Sequence, residues 1–158
     1  MTIVTTARVP AQRAGPASAR SGGGPARSGP RPIAAPTSRA ALALLRQAAD
    51  GLAEAHRVED PLLRYPAAYL AALRAGAAVL AVRASPQPRR GATRNVWELL
   101  AEVAPEFGEW AAFFSSCSAT RAAAEAGIAR LVGRRDADDM LRQAEQFVGL
   151  VTASVPVR

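Results

Sequence analysis

From Ser38 onward, apolar residues recur at steps of three and four inside stretches closed by proline or glycine, a pattern that commits the chain to α-helix. No segment shows the strict alternation or β-branched enrichment of a strand, so a sheet is excluded. The first helix opens with Ser38 as N-cap and carries Leu42, Leu45, Ala49, Leu52 and His56 on its apolar stripe. Asp60-Pro61 breaks it. The second runs from about Pro61 to Ala84 and presents Tyr69, Leu70, Leu73, Ala77 and Leu80, with Pro66 allowing a start as late as Tyr65. Its many alanines let a neighbouring helix approach closely, which places it at the centre of a bundle.

Residues 85–92 hold two prolines and a glycine and read as a loop carrying Arg89 and Arg90. The third helix opens at Thr93 or Asn95; Asn95 and Glu98 have capping-box spacing, and Val96, Trp97, Leu100 and Val103 follow as its stripe. Pro105 ends it and starts the fourth, whose face of Phe107, Trp110, Phe114 and Cys117 extends through Ala124, Ile128 and Leu131. Gly127 fits a C-cap there, which makes residues 128–133 a separate turn. The fifth starts near Asp136, where Asp136, Asp138 and Asp139 suit the positive helix end, and Ala137, Met140, Ala144, Phe147 and Val151 form its seam. The expectation is an all-α, five-helix up-and-down bundle over residues 38–154.

Ahead of it, residues 1–37 are proline-, glycine- and arginine-rich with only scattered aliphatics, too few to offset the entropy of ordering, and read as a disordered tail. Residues 1–38 contain five arginines and no acid, leaving 15 arginines against 13 acids in the remainder. The net charge of +7 therefore sits mostly on the tail, and basicity alone does not argue for nucleic-acid binding. The arginine-rich, acid-free tail also resembles an organellar transit peptide, although its glycines and prolines oppose an amphipathic helix. At 158 residues the chain has room for one core. A single cysteine, Cys117, excludes an intramolecular disulfide and a cysteine-rich zinc site, and fits a reducing, cytoplasmic compartment. No charge-free apolar run approaches eighteen residues, so neither membrane insertion nor export is expected.

His56 is the only histidine, and beside Arg57 it suits the C-terminal end of a helix better than metal or acid-base chemistry. Glu98, Glu102, Glu106 and Glu109 follow at steps of four, four and three. Without the Glu-x-x-His pairs of a di-metal bundle they read as an exposed face pairing with arginines, Arg94 lying four before Glu98. Trp97, Phe107, Trp110, Phe113 and Phe114 have the helical spacing of a core; Phe113 alone falls off the stripe. Arg89, Arg90 and Arg94, and Arg130, Arg134 and Arg135, make two short basic clusters at helix ends. No nucleotide-binding glycine loop, catalytic triad or helix-turn-helix signature is visible, and the reading calls for no cofactor and no metal.

The stretch from Arg64 through Tyr65-Pro66-Ala67-Ala68-Tyr69 to Arg74 resembles the alanine- and tyrosine-rich helix of HEPN domains. Two further runs resemble a small actinobacterial HEPN-like group: Val103-Ala104-Pro105-Glu106-Phe107 leading to Trp110-Ala111-Ala112-Phe113-Phe114, and Ala137-Asp138-Asp139-Met140 leading to Ala144-Glu145-Gln146-Phe147. The likeness spans about residues 38–154. HEPN domains are helical bundles, often dimeric; many are toxin ribonucleases with an arginine and a histidine separated by four to six residues, while others bind nucleotide or RNA without cleavage. Arg121 falls at the arginine position, but residues 126–128 are Ala, Gly and Ile, and no arginine precedes His56 at that spacing. General acid-base cleavage would lack its imidazole. The resemblance thus implies a non-catalytic module binding RNA, nucleotide or a partner protein such as a nucleotidyltransferase, as in a toxin-antitoxin setting, with Arg89, Arg90, Arg94 and Arg121 as contacts. It also implies a homodimer, for which Phe113 offers a surface. A structural or regulatory helical module, or a divergent toxin-type ribonuclease, are the alternatives.

Overall fold

A computed structural model describes residues 36–83 and 95–156, all helices and short connections. Helix α1 spans Pro36–Arg57, α2 Pro61–Arg83, α3 Val96–Val103, α4 Gly108–Ser116, α5 Ser118–Glu125 and α6 Arg134–Ser154, with 3-10 turns at Pro105–Phe107 and Ala129–Leu131. Segments α4 and α5 are one element bent at Cys117, so the five-helix bundle expected from the sequence is the fold. The 1–35 segment and the 85–92 loop lie outside the described residues.

Local chemistry sets the helix ends. Helix α1 begins at Pro36, two residues before the expected Ser38 cap, because proline fixes φ for a first helical position. Asp60 caps α2: its Oδ1 accepts from Leu62 N at 2.9 Å and its carbonyl from Leu63 and Arg64 N. Pro66 is accommodated inside α2, whose start is therefore Pro61. Asn95 Oδ1 accepts from Glu98 N at 2.9 Å at the start of α3. Gly127, at φ +76°, closes α5 with Ile128 N bonded to Ala123 O and Gly127 N to Ala124 O, a Schellman ending. Helix α6 starts two residues before Asp136, whose Oδ2 reaches back to accept Gly133 N at 2.9 Å.

Packing corrects two stripes. In α1 the buried positions are Ala41, Leu45, Ala48 and Ala55, while Ala49 and His56 are exposed. In α2 the deep positions are Tyr65, Ala68, Tyr69, Ala71, Ala72, Ala75, Gly76, Ala78 and Val79, and Leu70, expected inside, is 39% exposed. Both helices meet others along alanine, since small side chains bring axes together and push the leucines to the rim. Helix α2 touches α1, α3, α5 and α6, the central place expected of it. By length and mean hydropathy α2 is long and apolar enough to cross a membrane, although Arg64 and Arg74 interrupt its apolar run; half of its most apolar stretch is buried by its neighbours. The α6 seam of Ala137, Met140, Ala144, Phe147 and Val151 is buried throughout, whereas Leu131, placed on the stripe of the fourth helix, is 53% exposed.

The core is aromatic at its centre. Trp97 stacks on Phe114 at 4.9 Å, Trp110 lies 5.6 Å from Phe147, and Phe107 meets Phe147 edge-on at 5.8 Å. These rings join α3, α4 and α6 in geometries that aromatic pairs prefer.

Candidate functional site

Arg121, on α5, lies over the Tyr69 ring of α2 at 4.9 Å, a cation–π contact. Its Nε is 3.6 Å from Glu125 Oε1, too long for a hydrogen bond, and this buried nitrogen has no hydrogen-bond partner. The guanidinium is thus fixed by stacking and half-exposed. Tyr69 in turn accepts the Trp97 indole N–H at 2.7 Å.

One turn earlier on α2, the buried Tyr65 hydroxyl faces the Cys117 thiol and the Thr120 hydroxyl at the α4/α5 bend. Burial pushes the phenol far above its ordinary range, and the thiol beside it adds to the shift. Burial also raises the Cys117 thiol, partly offset by hydrogen bonds with Tyr65 and Ser116. A thiol held protonated this way is a poor nucleophile. Arg64, the residue before Tyr65, joins three elements: Nε donates to Ala55 O at 3.0 Å and Val58 O at 2.8 Å, and a terminal nitrogen donates to Asp138 Oδ1 at 2.5 Å. Neither the Tyr65–Cys117 contact nor this Arg64 bridge was read from the sequence. Their partners are distant in the chain, and no spacing signals them.

His56 pairs with Glu145 of α6, and so serves a contact between helices rather than the end of α1 alone. Nothing brings its ring to Arg121, which contacts α2. Glu98, Glu106 and Glu109 are exposed; Arg83 hydrogen-bonds Glu106 and holds its carboxyl below the usual range. Phe113 is half-buried and meets Phe114 edge-on at 5.1 Å, so one side of it belongs to the core. Arg89, Arg90 and Arg94 lie outside the described residues. No cluster of three or more His, Cys, Asp or Glu suited to a metal occurs among the described residues.

The remaining basic cluster forms a corner between α5 and α6. Residues 126–135 contain no acid, and Arg130, Arg134 and Arg135 are exposed and make no ion pair among the described residues. The aspartates that follow are engaged: Asp136 on Gly133 N, Asp138 on Arg64 and Asp139 on Arg142. Three guanidinium groups therefore face solvent without a salt-bridge partner among the described residues, with Leu131 exposed among them.

The chain matches no curated protein and no solved structure. Residues 55–152 match the HEPN_SAV_6107-like HEPN family model, a span that takes in the end of α1, all of α2 to α5 and nearly all of α6. With more than half of its length matched, the chain belongs to the HEPN_SAV_6107-like HEPN family.

Proposed function

We propose that this protein is a HEPN module without ribonuclease chemistry that binds the phosphate backbone of RNA through its exposed arginines. The observation that carries the reading is the acid-free run of residues 126–135, whose exposed Arg130, Arg134 and Arg135 make no ion pair among the described residues, while Asp138 and Asp139 are paired with Arg64 and Arg142. Arginine forks suit phosphate, and guanidinium groups without a salt-bridge partner are free to pair with a polyanion. Arg121 takes a secondary part, since Tyr69 and Glu125 already hold it. Against cleavage stands the sequence: the one histidine is engaged by Glu145 and no imidazole follows Arg121 at the ribonuclease spacing.

The test is a filter-binding titration of the full chain with RNA at two salt concentrations, repeated with Arg130, Arg134 and Arg135 all changed to alanine. Loss of three phosphate contacts should flatten the log–log salt dependence by about 2 to 3. An unchanged slope in the triple variant rejects this surface. Leu131, exposed beside the arginines, favours as second reading a partner protein with an acidic and apolar face. Absence of any salt-sensitive RNA binding by the full chain would select it.

A further inference from the structure

Helix α4 turns Trp110, Ala111 and Phe114 into the core and leaves a second stripe facing outward. Glu109, Ala112, Phe113 and Ser116 follow at the three- and four-residue steps of one helix face; Phe113 is half-buried and the other three are exposed. One side of an aromatic ring is thus open beside a carboxylate. The charge around it has a single sign, because residues 95–120 contain Glu98, Glu102, Glu106 and Glu109, all exposed, and no basic residue. Arg83 reaches Glu106 from α2, whereas Glu98 and Glu109 make no ion pair among the described residues.

Residues 1–35 carry the opposite charge, five arginines without an acid. They join the bundle at the end where this face begins. Helices α1 and α2 are antiparallel, linked by residues 58–60, with Gly51 against Ala71 and Gln47 against Arg74. Pro36 lies fifteen residues before Gly51 and Arg83 twelve after Ala71, so the start of α1 is level with the end of α2 to within about 5 Å. There Arg83 hydrogen-bonds Glu106, in the 3-10 turn that leads into α4. Extended chain covers about 3.3 Å per residue, so Arg31, five residues before Pro36, reaches roughly 16 Å and Arg20, sixteen before it, roughly 50 Å. The nine residues of α4 are only about 14 Å long, well inside that range.

We infer that the outer face of α4, with the glutamates of α3 beside it, docks the chain's own arginine-rich segment, Arg20, Arg27 and Arg31 pairing with its carboxylates and a guanidinium lying on Phe113. The ring contact is the one Arg121 already makes with Tyr69. Each exposed ion pair is weak alone, but a short tether holds the arginines near the face at an effective concentration in the millimolar range, and several weak contacts then act together. Docking here is independent of the arginine corner and does not rest on RNA binding.

Amide proton–nitrogen spectra of the isotope-labelled full chain at low salt test the inference. Changing Arg20, Arg27 and Arg31 all to alanine should move the signals of Glu109, Phe113 and Ser116 and leave those of Arg130, Arg134 and Arg135 in place. Raising salt to about 0.5 M should move the wild-type signals the same way. With Glu98→Gln and Glu109→Gln together, at exposed positions that leave the bundle folded, the difference between the spectra with and without the three arginines should shrink severalfold. An arginine variant whose α4 signals stay at the wild-type positions overturns the inference. So does an effect that appears only as protein concentration rises, which would place the segment of a second copy on the face. A face that responds to Arg89, Arg90 and Arg94 changed to alanine, but not to the first variant, would give it to residues 84–94 and equally overturn it.

Discussion

The Trp97 indole donates its N–H to the Tyr69 hydroxyl across 2.7 Å, joining α3 to α2 inside a wall of aromatic rings. Both residues are buried, Trp97 at 4% and Tyr69 at 2% exposure, so neither polar atom can turn to water. The ring that accepts this bond also lies under the Arg121 guanidinium, which links the centre of the core to the surface.

Tyr69→Phe should therefore cost about 1 to 3 kcal/mol, because it strands the Trp97 donor while leaving shape nearly unchanged. Urea unfolding of wild type and variant measures it as a lower midpoint with the same slope. An unchanged midpoint would mean that the indole finds another acceptor.

Arg64 makes three hydrogen bonds that hold the end of α1 and the start of α6 to α2. Arg64→Lys keeps the charge but lacks the fork, so it should lose roughly 2 kcal/mol or more, and Arg64→Ala at least as much. Equal stability of the lysine variant and wild type would show that charge alone matters at this place.

Alkaline pH should destabilise the fold through Tyr65 and Cys117. Burial raises both folded-state values, Tyr65 from 10.0 and Cys117 from 9.0. Below about pH 9 both groups are protonated folded and unfolded, and their contribution is fully present. Above it the unfolded chain releases protons that the folded chain keeps, so stability falls with rising pH, at up to about 1.4 kcal/mol per pH unit for each proton. Tyr65→Phe should make the decline above pH 10 shallower; chemical denaturation at a series of pH values reads the slope directly.

Three glycines should respond differently to alanine. A Cβ at Gly149 meets nothing within 4 Å, so Gly149→Ala should stabilise α6 by about 0.5 to 1 kcal/mol. At Gly76 the Cβ would lie 3.3 Å from Trp97 Cζ3, in a ring that stacking and a hydrogen bond hold still, and the change should destabilise despite the better helix propensity. Gly127→Ala should cost roughly 1 kcal/mol, because φ +76° is left-handed backbone. Thermal melts of the three variants check the order Gly149, wild type, Gly127 or Gly76.

The sequence by itself determined the number of helices, most of their limits and the whole seam of α6. Caps such as Asn95, breaks such as Asp60-Pro61 and Gly127, and the spacing of Ala137, Met140, Ala144, Phe147 and Val151 act within a few residues of one another, and local chemistry is enough to read them. Only the tertiary structure decided which face of α1 and α2 turns inward. A helix enclosed on several sides has no single apolar stripe, and close approach of axes selects Ala41, Ala48, Ala71 and Ala75 over the larger Leu63 and Leu70. The Arg64 bridge, the Tyr65–Cys117 contact and the stacking of Arg121 on Tyr69 likewise depend on distances between elements remote in the chain, which no spacing along it encodes. The arginine corner stands between the two: its basic run is visible in sequence, but the pairing of Asp138 with Arg64 and of Asp139 with Arg142, which leaves Arg130, Arg134 and Arg135 without a salt-bridge partner among the described residues, is set by the fold.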